Sequence, residues 1–355
     1  MHEEGSFVAA IICRSARVLA SGTVERQLAR DPEAVRAYGS GESDLVMDTE
    51  VRLGYLAEAL AADRIALLTE QLRWVKVLCA ARGVGDDAIQ DNLACMADEL
   101  QERLPEAAAA RACAMVRLAA KQVAEAPPET ASYLEGDGPH IGLARQFLLA
   151  VLEGREQDAV KLVLAAFEAG ATPTELYEHV LHRVQKEMGR MWQMGEVTIA
   201  EEHYCTGIVT SLLTVMRAQA PRTEGNGRQV ITATVSNETH ALGIQLVSQA
   251  FEARGWSVIS LGANTPATAI AEAARDFGCD VIALSANIVL YVRQTADLIA
   301  SLRAHPATAG IPILVGGQPF NLVDDLWQVV GADGHARSAS DCPAVAERLL
   351  GGTPA

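Results

Sequence analysis

Val230-Ile231-Thr232-Ala233-Thr234-Val235 runs into Ser236-Asn237-Glu238-Thr239-His240-Ala241-Leu242-Gly243, and this stretch decides the fold. The first six residues are a short apolar, β-branched run, which predicts a buried strand. A polar loop follows, and a helical pattern then runs from Ala241 to Arg254. The same alternation continues downstream. Strands are predicted at 257–262, 280–285 and 311–317, with a short one near 334–336, and helices at 266–277, 293–304 and 341–350. Strand–helix alternation of this kind predicts a doubly wound parallel sheet over about 228–350, with helices on both faces. Ligands of such sheets sit beyond the carboxyl ends of the strands, so functional residues are expected just after each strand.

After the first strand stand Glu238 and His240. A carboxylate two residues before a histidine can accept one imidazole N–H, fix the tautomer and raise the basicity of the other nitrogen. Metal-ligating histidines use such an orienting partner. A surface histidine with a nearby acid is the other reading of this segment taken alone. Gly243 would let a large planar group approach the start of the helix. Ser285 ends the third strand, and Gly316-Gly317 ends the fourth.

This set resembles the cobalamin-binding domain of corrinoid proteins: an acid-x-His-x-x-Gly loop, a Ser after the third strand and a Gly-Gly pair after the fourth. The resemblance covers about 228–350 and implies a flavodoxin-like, five-stranded domain. It further implies that His240 is the lower cobalt ligand, that Glu238 orients it, and that Ser285, Gly316 and Gly317 line the slot for the displaced nucleotide tail. The acid is often Asp in that family, and Glu lengthens its reach.

Upstream, about 141–220 reads as four helices, at 142–152, 156–169, 173–192 and 198–219, which suggests an antiparallel bundle. Gly170 is a helix stop and Thr172-Pro173 a helix start. Trp192, nine residues, then Glu202-His203 resembles the cap bundle of light-sensing cobalamin-dependent regulators. That resemblance implies that Trp192 covers an upper ligand, typically adenosyl. It also implies that His203 binds cobalt from above after photolysis, with Glu202 orienting nearby groups. Corrinoid carriers of methyl-transfer systems keep a similar Glu-His, so a carrier is the alternative. His179 and His182, on the preceding helix, could face a cofactor, but exposed helix histidines are the expectation.

Residues 1–128 read as a helical region, with helices near 64–78, 87–104 and 107–124 and a hand-over at Pro105. Residues 36–43 read as a loop, and the rest of 1–45 is left open. The layout is similar to photocobilins, which carry biliverdin beside cobalamin; Arg73, Lys76 or Arg82 could then pair with its propionates, each also being a candidate for a surface salt bridge. Chain breakers at 126–130 and 135–140 predict one linker, and 221–227 a second, flexible one.

Composition narrows the classes. Half of the 355 residues are hydrophobic and mean hydropathy is +0.13, which excludes a largely disordered chain. The formal charge is −16, and residues 1–130 hold 14 Lys/Arg against 21 Asp/Glu, so direct DNA binding is not expected. No barrel-sized segment, phosphate loop or Ser-His-Asp pattern points to an enzyme. The seven scattered cysteines, without C-x-x-C spacing, predict buried thiols in a reducing cytoplasm. No apolar run reads as a membrane span or signal peptide. A light sensor that signals through its oligomer or a protein partner is the expectation.

Overall fold

The computed structural model describes residues 1, 3–32, 42–221 and 223–351. The chain forms two compact units: one contains 1–79, 83–126 and 224–355, the other 80–82 and 127–223.

Among the described residues of the first unit, five helices precede the sheet: α1 (Glu3–Arg30), α2 (Glu42–Ala62), α3 (Ala66–Ala81), α4 (Asp86–Arg103) and α5 (Glu106–Ala124). Leu104 caps α4 in extended backbone and Pro105 opens α5, as the hand-over at Pro105 predicts. No pattern in the sequence announces α1. By length and composition it would cross a membrane, but 39% of its most apolar window is buried, and Val8, Ile12, Leu19 and Val24 pack into the core. Of the loop expected at 36–43, Ser43 stands inside α2, and 36–41 lie outside the described residues.

The sheet carries β1 (Gln229–Thr234), β2 (Ser257–Gly262), β3 (Val281–Ser285), β4 (Ile313–Gly316) and β5 (Gly334–His335). All are parallel, in the order β2-β1-β3-β4-β5. This is the doubly wound, five-stranded arrangement that the alternation predicts. The crossovers are α11 (Leu242–Ala253), α12 (Ala267–Phe277) and α13 (Val292–Ala304); α14 (Gln318–Leu322), α15 (Leu326–Val329) and α16 (Cys342–Leu349) complete the domain. Strand alternation divides the core. Val230, Val281, Ala283 and Leu314 face a cluster with Phe251, Trp256 and Val345. Ile231, Ala233, Ile282, Leu284 and Val315 face the other way, into a cluster that includes α12, α13 and the N-terminal helices.

That shared core is stapled by charge. Glu58 of α2, almost fully buried, accepts the backbone N–H of Arg293 at 2.8 Å and its Nε–H at 2.9 Å. Burial pushes the Glu58 carboxyl up to about 7, against the pull of Arg293. Arg64 pairs with both carboxylate oxygens of Asp325 through its Nε–H and Nη2–H. The linker expected before β1 is pinned at its end, where Asn226 N–H donates to Gly255 O at 2.8 Å.

The second unit contains α6 (Ile141–Leu152), α7 (Glu156–Glu168), α8 (Pro173–Leu176), a π-helical turn (Tyr177–Leu181), α9 (His182–Gln193) and α10 (Ile199–Gln219). Thr172 with Glu175, and Thr198 with Glu201, form capping boxes that start α8 and α10. The segment expected as a linker after 126 is tied onto this bundle. Tyr133 N–H donates to the buried Glu187 at 2.8 Å, and Arg145 donates to the carbonyls of Leu134 and Gly136.

His179 and His182 are half-buried rather than exposed; His179 lies in the π-helical turn and His182 directly follows it, packed on Tyr177. The His182 ring stacks on Tyr177, with centroids 5.5 Å apart, and burial lowers its pKa to about 4. The unfolded chain therefore takes up a proton at a higher pH than the folded one. His182 stability is fully present above about 6.5 and is lost as pH falls toward 4. His182→Gln is expected to flatten this acid limb by about 2 kcal/mol. Urea unfolding at pH 4.5 and 7.5 checks this; an unchanged difference between the two pH values would refute it.

Candidate corrinoid site

β1 delivers its loop by hydroxyl anchoring. Thr234 Oγ–H donates to the Glu238 carbonyl at 2.7 Å, and the same oxygen accepts the Asn264 N–H at 2.8 Å. Asn264 also donates its N–H to Glu238 O at 3.0 Å, and its side chain accepts the Asn237 N–H at 2.7 Å. Both asparagines adopt positive φ, which their residue type tolerates best among non-glycines. The loops after β1 and β2 are therefore locked together.

Within this frame Glu238 is fully buried, while the His240 side chain is 54% exposed. Glu238 Oε1 sits 2.5 Å from His240 Nδ1 and accepts the His240 backbone N–H at 2.9 Å. Oε2 accepts the Asn287 N–H, from the loop after β3, at 2.7 Å. Burial alone would raise the Glu238 pKa, but these hydrogen bonds outweigh it and hold the group below the ordinary carboxylate range. An ionised Glu238 makes Nδ1 the protonated nitrogen and turns Nε2 into the electron-pair donor.

The other sequence candidates of this domain fall around the same strand ends. Gly243 begins α11, and a Cβ placed on it would meet only the Ser285 Oγ, at 3.9 Å. Gly317 has φ +115°, and a Cβ there would lie 2.0 Å from the Ala286 carbonyl oxygen. Its absence of a side chain is thus required by the meeting of the β3 and β4 ends. Gly316 is less constrained, with the Ala336 carbonyl at 3.3 Å.

Some participants are not apparent in the sequence. Thr232 Oγ and Ser248 Oγ lie 2.8 Å apart, and Ser248 reaches Ser260 at 3.4 Å, giving a hydroxyl row between the sheet and α11. The strand period would have found Thr232 and Thr234 on one face, opposite Ile231 and Ala233. Asn287 contributes its backbone N–H, which leaves no mark in side-chain chemistry.

In the second unit, Trp192 is half-buried near the end of α9. On α10 the His203 side chain is 73% exposed, with Nδ1 2.6 Å from Glu202 Oε2. The other Glu202 oxygen accepts the Thr206 hydroxyl at 2.9 Å. Of the N-terminal cations, Lys76 is buried rather than superficial: its Nζ donates to the Val123 and Ala124 carbonyls and pairs with Asp86 at 2.9 Å. Arg73 lies 3.8 Å from Glu70 on the surface of α3. All seven cysteines are free thiols; five are buried, Cys279 is half-buried and Cys13 is exposed.

Two family models, each described as a B12 binding domain, match this chain at residues 143–217 and 228–342. Dimethylamine corrinoid protein 1 of Methanosarcina acetivorans is 23% identical over 59% of this chain and all of its own length. The HTH-type transcriptional repressor CarH of Myxococcus xanthus is 27% identical over 50% of this chain and 59% of its own. The monomethylamine corrinoid protein structure from Methanosarcina barkeri aligns with a TM-score of 0.51 at 20% identity, covering 59% of this chain and 99% of that one, and so shares the fold. With two B12-binding domains and relatives among corrinoid proteins, the chain is a corrinoid-binding protein.

Proposed function

We propose that this protein is a light sensor that binds adenosylcobalamin through His240 and the cap bundle and signals through its N-terminal helices. The residues fit such a group. Glu238 is buried, ionised and hydrogen-bonded on both oxygens, the imidazole is half-exposed, and Gly243 leaves the start of α11 open. When bound, a corrinoid supplies a cobalt–carbon bond that visible light can break. His240 would hold the metal from below through Nε2, with Glu238 keeping the proton on Nδ1. Ser285 and Gly243 would line the nucleotide-tail slot beside the Thr232–Ser248–Ser260 hydroxyls. Trp192 would cover the upper ligand and exclude water. Glu202 would orient His203 as Glu238 orients His240, preparing it to take the upper position.

The observation that carries this reading is the shared core of the N-terminal helices and the sheet. Helices α1–α5 lie outside both B12 models, yet they share one hydrophobic cluster with β1, β3 and β4. A body fixed to the corrinoid domain suits a protein whose output is its own conformation. Its acidic character favours an oligomer or protein partner over DNA. A carrier in methyl transfer is the second reading, favoured by similarity to the full length of a dimethylamine corrinoid protein.

Illumination separates the two. Protein loaded with adenosylcobalamin in the dark is expected to change its corrin spectrum irreversibly on exposure, and His203→Ala to give a different photoproduct. Because the cobalt–carbon bond is photolabile in any protein, the discriminating outcome is the photoproduct: one that is the same in His203→Ala as in the wild type would sink the sensor and leave the carrier, whose test is methyl transfer from methylcobalamin to a partner. Biliverdin added alongside tests the second chromophore by a far-red band. With Lys76 committed to α5 and Asp86, Arg73 and Arg82 are the remaining candidate partners for its propionates.

A further inference from the structure

Residues 286–293 connect the His240 loop to an N-terminal helix. At one end, the Asn287 N–H holds Glu238, which holds the His240 ring. At the other, the Arg293 N–H and guanidinium are held by Glu58 of the N-terminal α2. The segment between is short and stiff. A 3₁₀ turn spans Val289–Tyr291, Tyr291 O accepts the Thr295 hydroxyl at 2.7 Å, and Val289 and Val292 are buried. α2 also touches its middle: a Cβ on Gly54 would meet Leu290 Cδ2 at 3.0 Å. Cys13 of α1 lies 3.1 Å from the Arg293 guanidinium.

We propose that Glu58 is a positioning residue for the lower ligand: α2 grips the loop after β3 at Leu290 and Arg293, and that grip sets how firmly Glu238 aims His240 at cobalt. The coupling is reciprocal, so a change in lower ligation would be felt by α2. This inference rests on the reading of His240 as the lower ligand.

The test uses the full chain loaded with hydroxocobalamin. Reduced to the cobalt(II) state in protein labelled with ¹⁵N-histidine, the wild type is expected to show a two-line nitrogen splitting in its electron paramagnetic resonance spectrum. Cyanide titration of the oxidised form then measures how easily histidine is displaced. Glu58→Gln is expected to lower the displacing cyanide concentration by about 3–10-fold, less than the loss seen when a ligand's direct orienting partner is removed. Gly54→Ala, which presses on Leu290 without touching the ion pair, is expected to move it as well and serves if Glu58→Gln does not fold. Asp325→Asn breaks the other staple, away from this loop, and is expected to leave displacement unchanged. Wild-type displacement in both α2 variants, or an equal change in Asp325→Asn, would overturn the inference alone. A wild type without the histidine splitting would overturn the lower-ligand reading and this inference with it.

Discussion

His240→Ala is expected to weaken hydroxocobalamin capture by at least 10–100-fold, roughly the loss caused by removing a metal ligand's orienting partner. The imidazole is delivered by a loop with few degrees of freedom. Its Nδ1 is committed to a carboxylate that is itself fixed by the Asn287 N–H, and the loop backbone is tied to Thr234 and Asn264. The variant removes a side chain that is half-exposed and leaves the backbone frame of the loop in place, so folding is expected to be preserved. Isothermal titration gives the affinity, and the cobalt(II) resonance spectrum is expected to lose its histidine coupling. Undiminished affinity with the same ligation would remove His240 from the site.

Gly317→Ala is expected to destabilise the protein by about 3 kcal/mol, through a backbone conformation that side chains rarely adopt and a collision with the Ala286 carbonyl. The loop after β3 cannot yield without disturbing Asn287, so corrinoid affinity should fall together with stability. Gly243→Ala is the contrasting case. Its methyl would meet only Ser285 at ordinary van der Waals distance, and alanine is the better helix former by about 1 kcal/mol. It should fold at least as stably as the wild type yet bind the corrinoid less well. Thermal unfolding by tryptophan fluorescence, beside cobalamin titration, distinguishes the two. If Gly317→Ala melts like the wild type, the close strand-end contact is not restrictive; if Gly243→Ala binds normally, that glycine does not face the cofactor.

The sheet domain was legible because its strands are apolar and β-branched and its helices amphipathic, so local propensity agrees with the fold. The Glu238–His240 pairing was legible for a similar reason, since two residues' separation in a loop places acid and imidazole within reach. α1 was not legible. Its polar residues include Thr23 and Gln27, which are buried, so its faces do not separate by polarity. Lys76 misled for a related reason: a cation is ordinarily superficial, and the carbonyls ending α5 together with Asp86 compensate its burial. The grip of α2 on the loop after β3 depends on residues 235 positions apart and on a main-chain donor, neither of which a linear reading can pair.

The wide turn at Tyr177–Leu181 has a consequence for the cap. One residue more than an α-helical turn requires is accommodated there without breaking the helix. Each added residue rotates the downstream helix by about 100°. The azimuth at which Trp192 leaves α9 is therefore set fifteen residues upstream of it, by whether Tyr177 begins a turn of one width or the other. A switch between the two widths would swing that indole about the helix axis while leaving Pro173–Leu176 where it is.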